Sequence, residues 1–273
     1  MKSLSRPQSS PFVFSRLSVS IVLAGFLAGF LGACANNGKT GSAANVSLDN
    51  VTQAGGSALK AATLGDADVK KLSEQSCAEM DKQSRISPDK SKYSVRLAKV
   101  VKGMPKSEGD TAINYKVYET KDVNAWAMIN GCVRVYSGLM DMMNDDELRG
   151  VIGHELGHVA LGHSKKSMQV AYTATAARQA ATAAGGTAAQ LSASQLGDLT
   201  EKLINAQFSQ SQESDADDYS FDLLTTAKLK REGLVTAFEK LAKLGENSSM
   251  FNSHPSSSGR AQHIRDRIAA KKQ

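Results

Sequence analysis

Two histidines four residues apart, His154 and His158, lie inside an apolar helical pattern made by Leu148, Val151, Ile152 and Val159. At 3.6 residues per turn such positions are about 40° apart around the helix axis and one turn along it. Both imidazoles can therefore reach one metal ion, and Glu155 stands beside them to act as a base on water, the logic of an H-E-x-x-H helix. The apolar flanks put these groups at least partly inside the fold, where unpaired histidine and glutamate side chains are unfavourable. Gly150, Gly153 and Gly157 mark one strip of the same helix. Each costs about 1 kcal/mol relative to alanine in a helix interior, so the strip predicts close packing of another element. Asn144 and Glu147 form a capping box that starts the helix.

A structural zinc site normally has four protein ligands, whereas a catalytic one has three and an open position, so a third ligand has to be found. A metzincin would carry glycine at 161 and histidine at 164; this chain has Leu161 and Ser164. His163 is off that register by one and reads as a surface residue or a support behind a ligand. No glutamate occurs between Glu155 and Glu201, so the thermolysin spacing fails as well. What remains is Glu201 or the acidic run from Glu213 to Asp218. An acidic run alone is more simply a solvated face. Glu213 and Asp217, however, share one helix face, and beside an incomplete zinc site the run is read as Glu213 binding the metal while Asp217 orients a neighbouring group from behind.

The amino terminus carries Lys2, Arg6 and Arg16 and no acid, followed by an apolar run from Leu17 to Ala33. The run is short and rich in small residues for a membrane span. It ends in Leu31-Gly32-Ala33-Cys34, which resembles a bacterial lipoprotein signal; the alternative is an uncleaved anchor. Residues 1–33 are then a signal peptide, Cys34 carries the lipid, and 34–60, dominated by small and polar residues, is a flexible tether. Ala35 in place of an aspartate directs such a lipoprotein to the outer membrane, with the rest of the chain in the periplasm. Lipidation leaves Cys77 and Cys132 as an even pair in an oxidising compartment, which predicts a disulfide rather than two buried thiols. Of 33 basic residues three lie in the signal; the remaining 30 face 27 acids, a net +3, so no nucleic-acid partner is expected.

Residues 61–273 read as one domain. Asp66 can cap a helix running to about Lys82, and Pro88 opens a second one. Strands are expected at 112–119, 124–128 and 132–136, the last two forming a hairpin about Asn130-Gly131. The Ala- and Gln-rich stretch 168–196, broken at Gly185-Gly186, suggests a mobile helical hairpin that could hold an enzyme latent. Helical periodicity returns at 199–224, 234–244 and 261–268. The expected fold class is mostly helical α+β, with a small antiparallel sheet packed on the H-E-x-x-H helix and a second metal-binding helix.

The H-E-x-x-H helix, Glu213-x-x-x-Asp217, His254-Pro255, Arg260, Asn124-Ala125-Trp126-Ala127 and Ser137-Gly138-Leu139 together resemble the gluzincin metallopeptidases of the HtpX and CAAX-prenyl-protease type. The resemblance implies one zinc ion per chain on His154, His158 and Glu213, with Glu155 as base and His254 stabilising an oxyanion. It implies Asp217 and Arg260 as supports, and Asn124, Ala125, Trp126 and Ala127 as the strand that binds substrate backbone. The hydrophobic spans of HtpX are lacking here. The implied role is an endopeptidase of envelope quality control, with unfolded or misfolded envelope proteins as substrates and other envelope quality-control proteins as partners. The alternative is a periplasmic chaperone or assembly factor that has kept a zinc fold; an intact Glu155 argues against it.

Intact-mass analysis of the membrane-extracted protein is expected to show a chain beginning at Cys34 and carrying acyl mass on that residue. An unmodified chain starting at Met1 would refute the lipoprotein reading.

Overall fold

The computed structural model describes residues 64–182, 192–244, 249–254 and 257–271. The signal, Cys34, the tether, Gly185-Gly186 and Pro255 lie outside the described residues.

Helix α1 (Asp66–Gln83) starts one residue earlier than the sequence suggests. Gly65 is its cap, and its N–H donates to the Asp68 carboxylate at 3.2 Å, while Asp66 becomes a first-turn acid. Helix α2 (Lys92–Val100) is capped by the Ser91 hydroxyl; Pro88 belongs to the turn before it, its carbonyl accepting from Ser91 N–H. The expected strand at 112–119 divides in two. Thr111–Ala112 (β2) pairs with Ser107–Glu108 (β1), and Asn114–Tyr118 (β3) joins the main sheet with Ala125–Ala127 (β4) and Cys132–Tyr136 (β5).

The sheet order is β3-β5-β4. β4 and β5 are antiparallel, as the hairpin signal predicts, but β3 and β5 are parallel, so the sheet is mixed. After β3 the chain crosses to the far edge, forms β4 and turns back into the centre as β5, which leaves β5 running in the direction of β3. β4 is consequently an edge strand.

The remaining elements are α3 (Ser137–Met142), α4 (Asp145–Ala160), α5 (His163–Thr182), α6 (Ala193–Ile204), α7 (Gln210–Thr226), α8 (Glu232–Ala242), α9 (Ser249–Ser253) and α10 (Ser257–Ala270). The capping box of α4 forms: Asn144 Oδ1 accepts from the N–H groups of Asp146 and Glu147, and Asn144 N–H donates to Glu147 at 2.7 Å. The periodic run at 199–224 proves to be two helices, because Ser209 caps a new start by accepting from Gln212 N–H.

Helix α4 is the centre of the molecule. β4 covers one side of it, and α7 and α8 pack closely against its glycine strip. A Cβ on Gly153 would lie 2.5 Å from Ser220 Oγ, and one on Gly157 3.0 Å from the Ala216 carbonyl, both on α7. One on Gly150 would lie 2.5 Å from Leu234 of α8. The main core gathers Val151, Ile152 and Leu156 with Val133, Val135, Phe221, Leu224, Leu234, Phe238 and Ile264. The Ala-rich segment does not stand apart: α5 and α6 dock on α1 through a small core of Val69, Met168 and Leu199. Cys77 of α1 and Cys132 of β5 form the expected disulfide, closing a separation of 55 residues, which contributes roughly 4 kcal/mol in the chain-entropy account. No helix among the described residues is long and apolar enough to cross a membrane.

Beside the disulfide, Arg134 of β5 is only 2% exposed. It grips the Asp81 carboxylate with two hydrogen bonds of 2.8 and 2.9 Å and also donates to the Asn114 carbonyl. Lys116 and Tyr118 donate to the same carboxylate at 2.7 Å. Burial would raise the Asp81 pKa, but these three partners hold it at about 2. A depressed carboxylate pKa adds stability above the unfolded value and loses it as pH falls through the folded one. Asp81→Asn is therefore expected to lower unfolding free energy at pH 7 by about 2–4 kcal/mol, by stranding a buried arginine. In urea titrations this difference should shrink as pH falls from 3.8 toward about 2. Equal stability of variant and parent at pH 7 would rule this account out.

Candidate metal centre

Four buried side chains converge: His154 and His158 from α4, Glu213 from α7, and His254 just after α9. One donor atom from each lies within 4.8 Å of all the others. The two Nε2 atoms of His154 and His158 are 3.0 Å apart, and Glu213 Oε1 is 3.3 Å from His158 Nε2. The glycine strip sets this geometry, because it brings α7 close enough to α4 for Glu213 to reach the two histidines.

Each donor is held from behind. His154 Nδ1 lies 2.8 Å from Asp217 Oδ1, which places the proton on Nδ1 and turns the Nε2 lone pair toward the centre. Arg260 fixes Asp217 with bonds of 2.7 and 2.6 Å and contacts Glu213 Oε2 at 2.6 Å, its guanidinium lying 4.1 Å over the Phe238 ring. Arg260 Nη2 is also 3.1 Å from His154 Nδ1; with that nitrogen protonated, the contact is not a hydrogen bond. His158 Nδ1 lies 3.1 Å from His163 Nδ1, and its ring stacks on Phe208 with centroids 3.8 Å apart. Gly162, at φ 74°, provides the left-handed turn that folds His163 back beside His158.

The buried charges act on one another. Burial would raise the Glu213 pKa, but the imidazoles of His254 and His154 hold it far below the usual carboxylate range. Burial of Asp217 is likewise outweighed, by Arg260, and its pKa falls. Burial pushes Glu155 up despite His254 and His154, and pushes His158 well down. Burial also disfavours the charged form of His254, but Glu155 and Glu213 outweigh it and its pKa rises.

These residues fit a zinc ion. Two imidazole lone pairs face each other with a carboxylate beside them, a nitrogen and oxygen donor set suited to a borderline-soft divalent cation. Glu155 Oε1 is buried with no hydrogen-bond partner among the described residues, so a base remains for water that the metal would bring. Of the two candidates for third ligand, Glu201 is exposed on α6 beside a separate cavity lined also by Asp122 and Asp198. It is not among the converging groups.

His254 stands within the cluster of donors itself. Its Nδ1 is 2.9 Å from Glu213 Oε1 and 3.2 Å from His154 Nε2, and its Nε2 is 3.4 Å from Glu155 Oε1. The strand Asn124–Ala127 does flank the centre. Asn124 and Met128 direct their backbone bonds to β5, so by antiparallel alternation Ala125 and Ala127 present theirs to the open edge. Ala125 N–H meanwhile donates to Asn124 Oδ1, and Trp126 turns its ring away from α4, toward Tyr118. Sequence reasoning did not identify Phe208, which lies in the break between α6 and α7 and has no local signal.

A buried H-E-x-x-H helix completed by a glutamate from a second helix, under an edge strand, defines a metallopeptidase. The chain belongs to peptidase family M48, which matches residues 94–268, and it is a metalloprotease. It is 59% identical to Metalloprotease YcaL of Escherichia coli K12 over 217 residues, 79% of this chain and 85% of that one. It is 55% identical to Metalloprotease LoiP of the same organism over 228 residues, 83% and 90% of the two chains. A shorter match, 36% over 70 residues and 24% of each chain, relates it to a Protease HtpX homolog of Nitrosomonas europaea.

Zinc titration of folded variants tests the ligand assignment. Glu213→Ala is expected to weaken retention severely and Glu201→Ala to leave it intact. Asp217→Ala should fall between them, about 10–100-fold weaker, as for loss of a partner behind a ligand. Tight binding by Glu213→Ala with loss in Glu201→Ala would reverse the assignment.

Proposed function

We propose that this chain is a zinc-dependent endopeptidase that cleaves unfolded or misfolded envelope proteins from a lipid anchor at Cys34 in the bacterial outer membrane. The observation that carries the peptidase chemistry is the buried, unpartnered Glu155 oxygen beside a two-histidine, one-glutamate donor set.

His154, His158 and Glu213 would hold one zinc ion, leaving a position open. When bound, zinc lowers the pKa of a water toward ~7 and polarises the scissile carbonyl. Glu155 takes the proton of the attacking water and passes it to the leaving amine. His254, beside Glu155 on the wall of one pocket, donates from Nε2 to the developing oxyanion, the role the family resemblance implies. Asp217 and Arg260 keep His154 in one tautomer throughout. With Ala125 N–H held by Asn124 and the Ala127 carbonyl by Ser164, the Ala125 carbonyl and Ala127 N–H at the same edge bind an extended segment by strand addition, which selects chains that have lost their own fold.

The lipoprotein-type signal, Ala35 and a disulfide suited to an oxidising compartment support an envelope location. Other envelope quality-control proteins are the partners this role implies.

Digestion of an unfolded protein tests the reading. Cleavage is expected with zinc and should stop with a chelator. Glu155→Gln should retain zinc by metal analysis yet lose about 10²–10⁴-fold in rate, the usual contribution of a positioned base. Turnover near the parent level in that variant would require another base.

A further inference from the structure

The solvent face of α2 carries one sign of charge. Lys92, Val95 and Lys99 recur at spacings of three and four, and Lys102 continues the row in the turn that follows; all four are exposed. Val95, in the middle of that face, is 59% exposed, whereas Leu97 and Val100 on the other side enter the core. The α7–α8 turn extends the patch. Leu229 packs beside Gly103, 3.9 Å from where a Cβ would stand, which brings Lys228 and Lys230 next to Lys102.

The acids at the base of this surface are already engaged. Asp145 binds Arg96 and Lys99 at 2.8 and 3.0 Å, and Asp146 binds Arg149 and Lys230 at 2.6 and 3.5 Å. Lys92, which lies over the Tyr93 ring, Lys102 and Lys228 have no carboxylate partner among the described residues. The exposed acids Asp89 and Asp110 fall outside α2 and its following turn. Positive charge therefore prevails across the patch, with an apolar side chain standing out of its middle. This combination suits an anionic lipid surface, whose phosphates attract the lysines and whose headgroup boundary accepts the valine.

The start of α1 indicates where such a surface lies. Lys70 of α1 donates to the Thr111 hydroxyl of β2 at 3.1 Å, and Ile113 N–H, two residues on, donates to the carbonyl of the exposed Lys106 at 2.9 Å. α1 thus begins beside the end of the lysine row, and the stretch that leads back to Cys34 departs from there.

We propose that this face rests on the anionic phospholipid headgroups of the leaflet that holds the lipid of Cys34. The inference rests on the lipid-anchor reading above and adds an orientation to it. α4 opens at this surface with Asp145 and Asp146, and His158 lies twelve residues beyond Asp146, about 18 Å along the helix axis, which leaves the metal centre clear of the lipid.

The first assay uses residues 34–273 with Cys34→Ser, so that no acyl chain contributes, and vesicles of phosphatidylcholine alone or with roughly one-third phosphatidylglycerol. Co-sedimentation is expected on the anionic vesicles and should weaken as salt rises. Lys92→Gln, Lys102→Gln and Lys228→Gln together, with the fold checked by circular dichroism, should lower the partition coefficient about 100-fold, at about fivefold per lysine. The same change of charge on exposed lysines elsewhere, Lys71→Gln, Lys166→Gln and Lys243→Gln, should lower it less than about threefold. In the second assay the lipidated protein sits on the same vesicles and its lysines are acylated in solution. Lys92, Lys102 and Lys228 should be protected by phosphatidylglycerol and Lys166 should not. Equal binding to both kinds of vesicle, equal loss in the two triple variants, or equal reactivity of all these lysines overturns the docking surface and leaves the anchor standing. Binding to anionic vesicles by a chain that carries no acyl mass on Cys34 in the cell would refute the anchor alone.

Discussion

The donor set stands where it does because two helices touch backbone to backbone. At Gly157 the backbone of α4 meets that of α7 at Ala216, at Gly153 and Gly150 the side chains of Ser220 and Leu234 occupy the place a Cβ would need, and the Ser220 hydroxyl donates to the Gly150 carbonyl at 2.9 Å. That contact sets the height at which Glu213 and Asp217 meet the two histidines. It also accounts for three glycines in a helix that intrinsic propensity would rather fill with alanine. A methyl group at Gly157 would press on the backbone of Ala216, three residues from Glu213 and next to Asp217, so the error would pass directly into the ligand geometry.

The interior carries an imbalance of charge that such packing alone would not tolerate. Glu155, Glu213 and Asp217 contribute three negative charges and Arg260 one positive, so with neutral histidines the buried set stands at −2. A divalent cation brings this to zero. The raised pKa of His254 has the same origin, since a proton on that imidazole is the nearest substitute the chain itself can offer. The arginine, and in the absence of metal the raised His254 pKa, are thus responses to one buried cluster of acids, which a divalent cation would balance.

The parts of this arrangement legible in the sequence are those governed by helical repeat. The pairs His154/His158 and Glu213/Asp217, the Asn144/Glu147 cap and the glycine strip all act within a turn or two of one helix, and each emerges in the structure as expected. Features set by distant contacts were hidden. The parallel pairing of β3 with β5 depends on the path of β4. The break after α6 is held by Phe208 N–H on the Ser253 carbonyl, 45 residues away. His163 was read as a surface residue or a support behind a ligand, and the turn at Gly162 places it beside His158, 3.1 Å between the two Nδ1 atoms. The edge strand at Asn124–Ala127 was implied by the family resemblance alone, and the docking of the Ala-rich helices on α1 was not legible, because their few large side chains give a weak period.

The gathering of the site from distant segments has a consequence for the enzyme under stress. His154 and Arg260 are 106 residues apart in sequence, with Glu213 between them. No stretch of chain shorter than this holds the donors together with their supports, and α4 by itself offers two imidazoles and a carboxylate exposed to water. Loss of packing anywhere from α4 to α10 therefore dismantles the hydrolytic apparatus before the chain has fully unravelled. Under conditions harsh enough to loosen that packing, the donor set is lost together with the fold that assembled it.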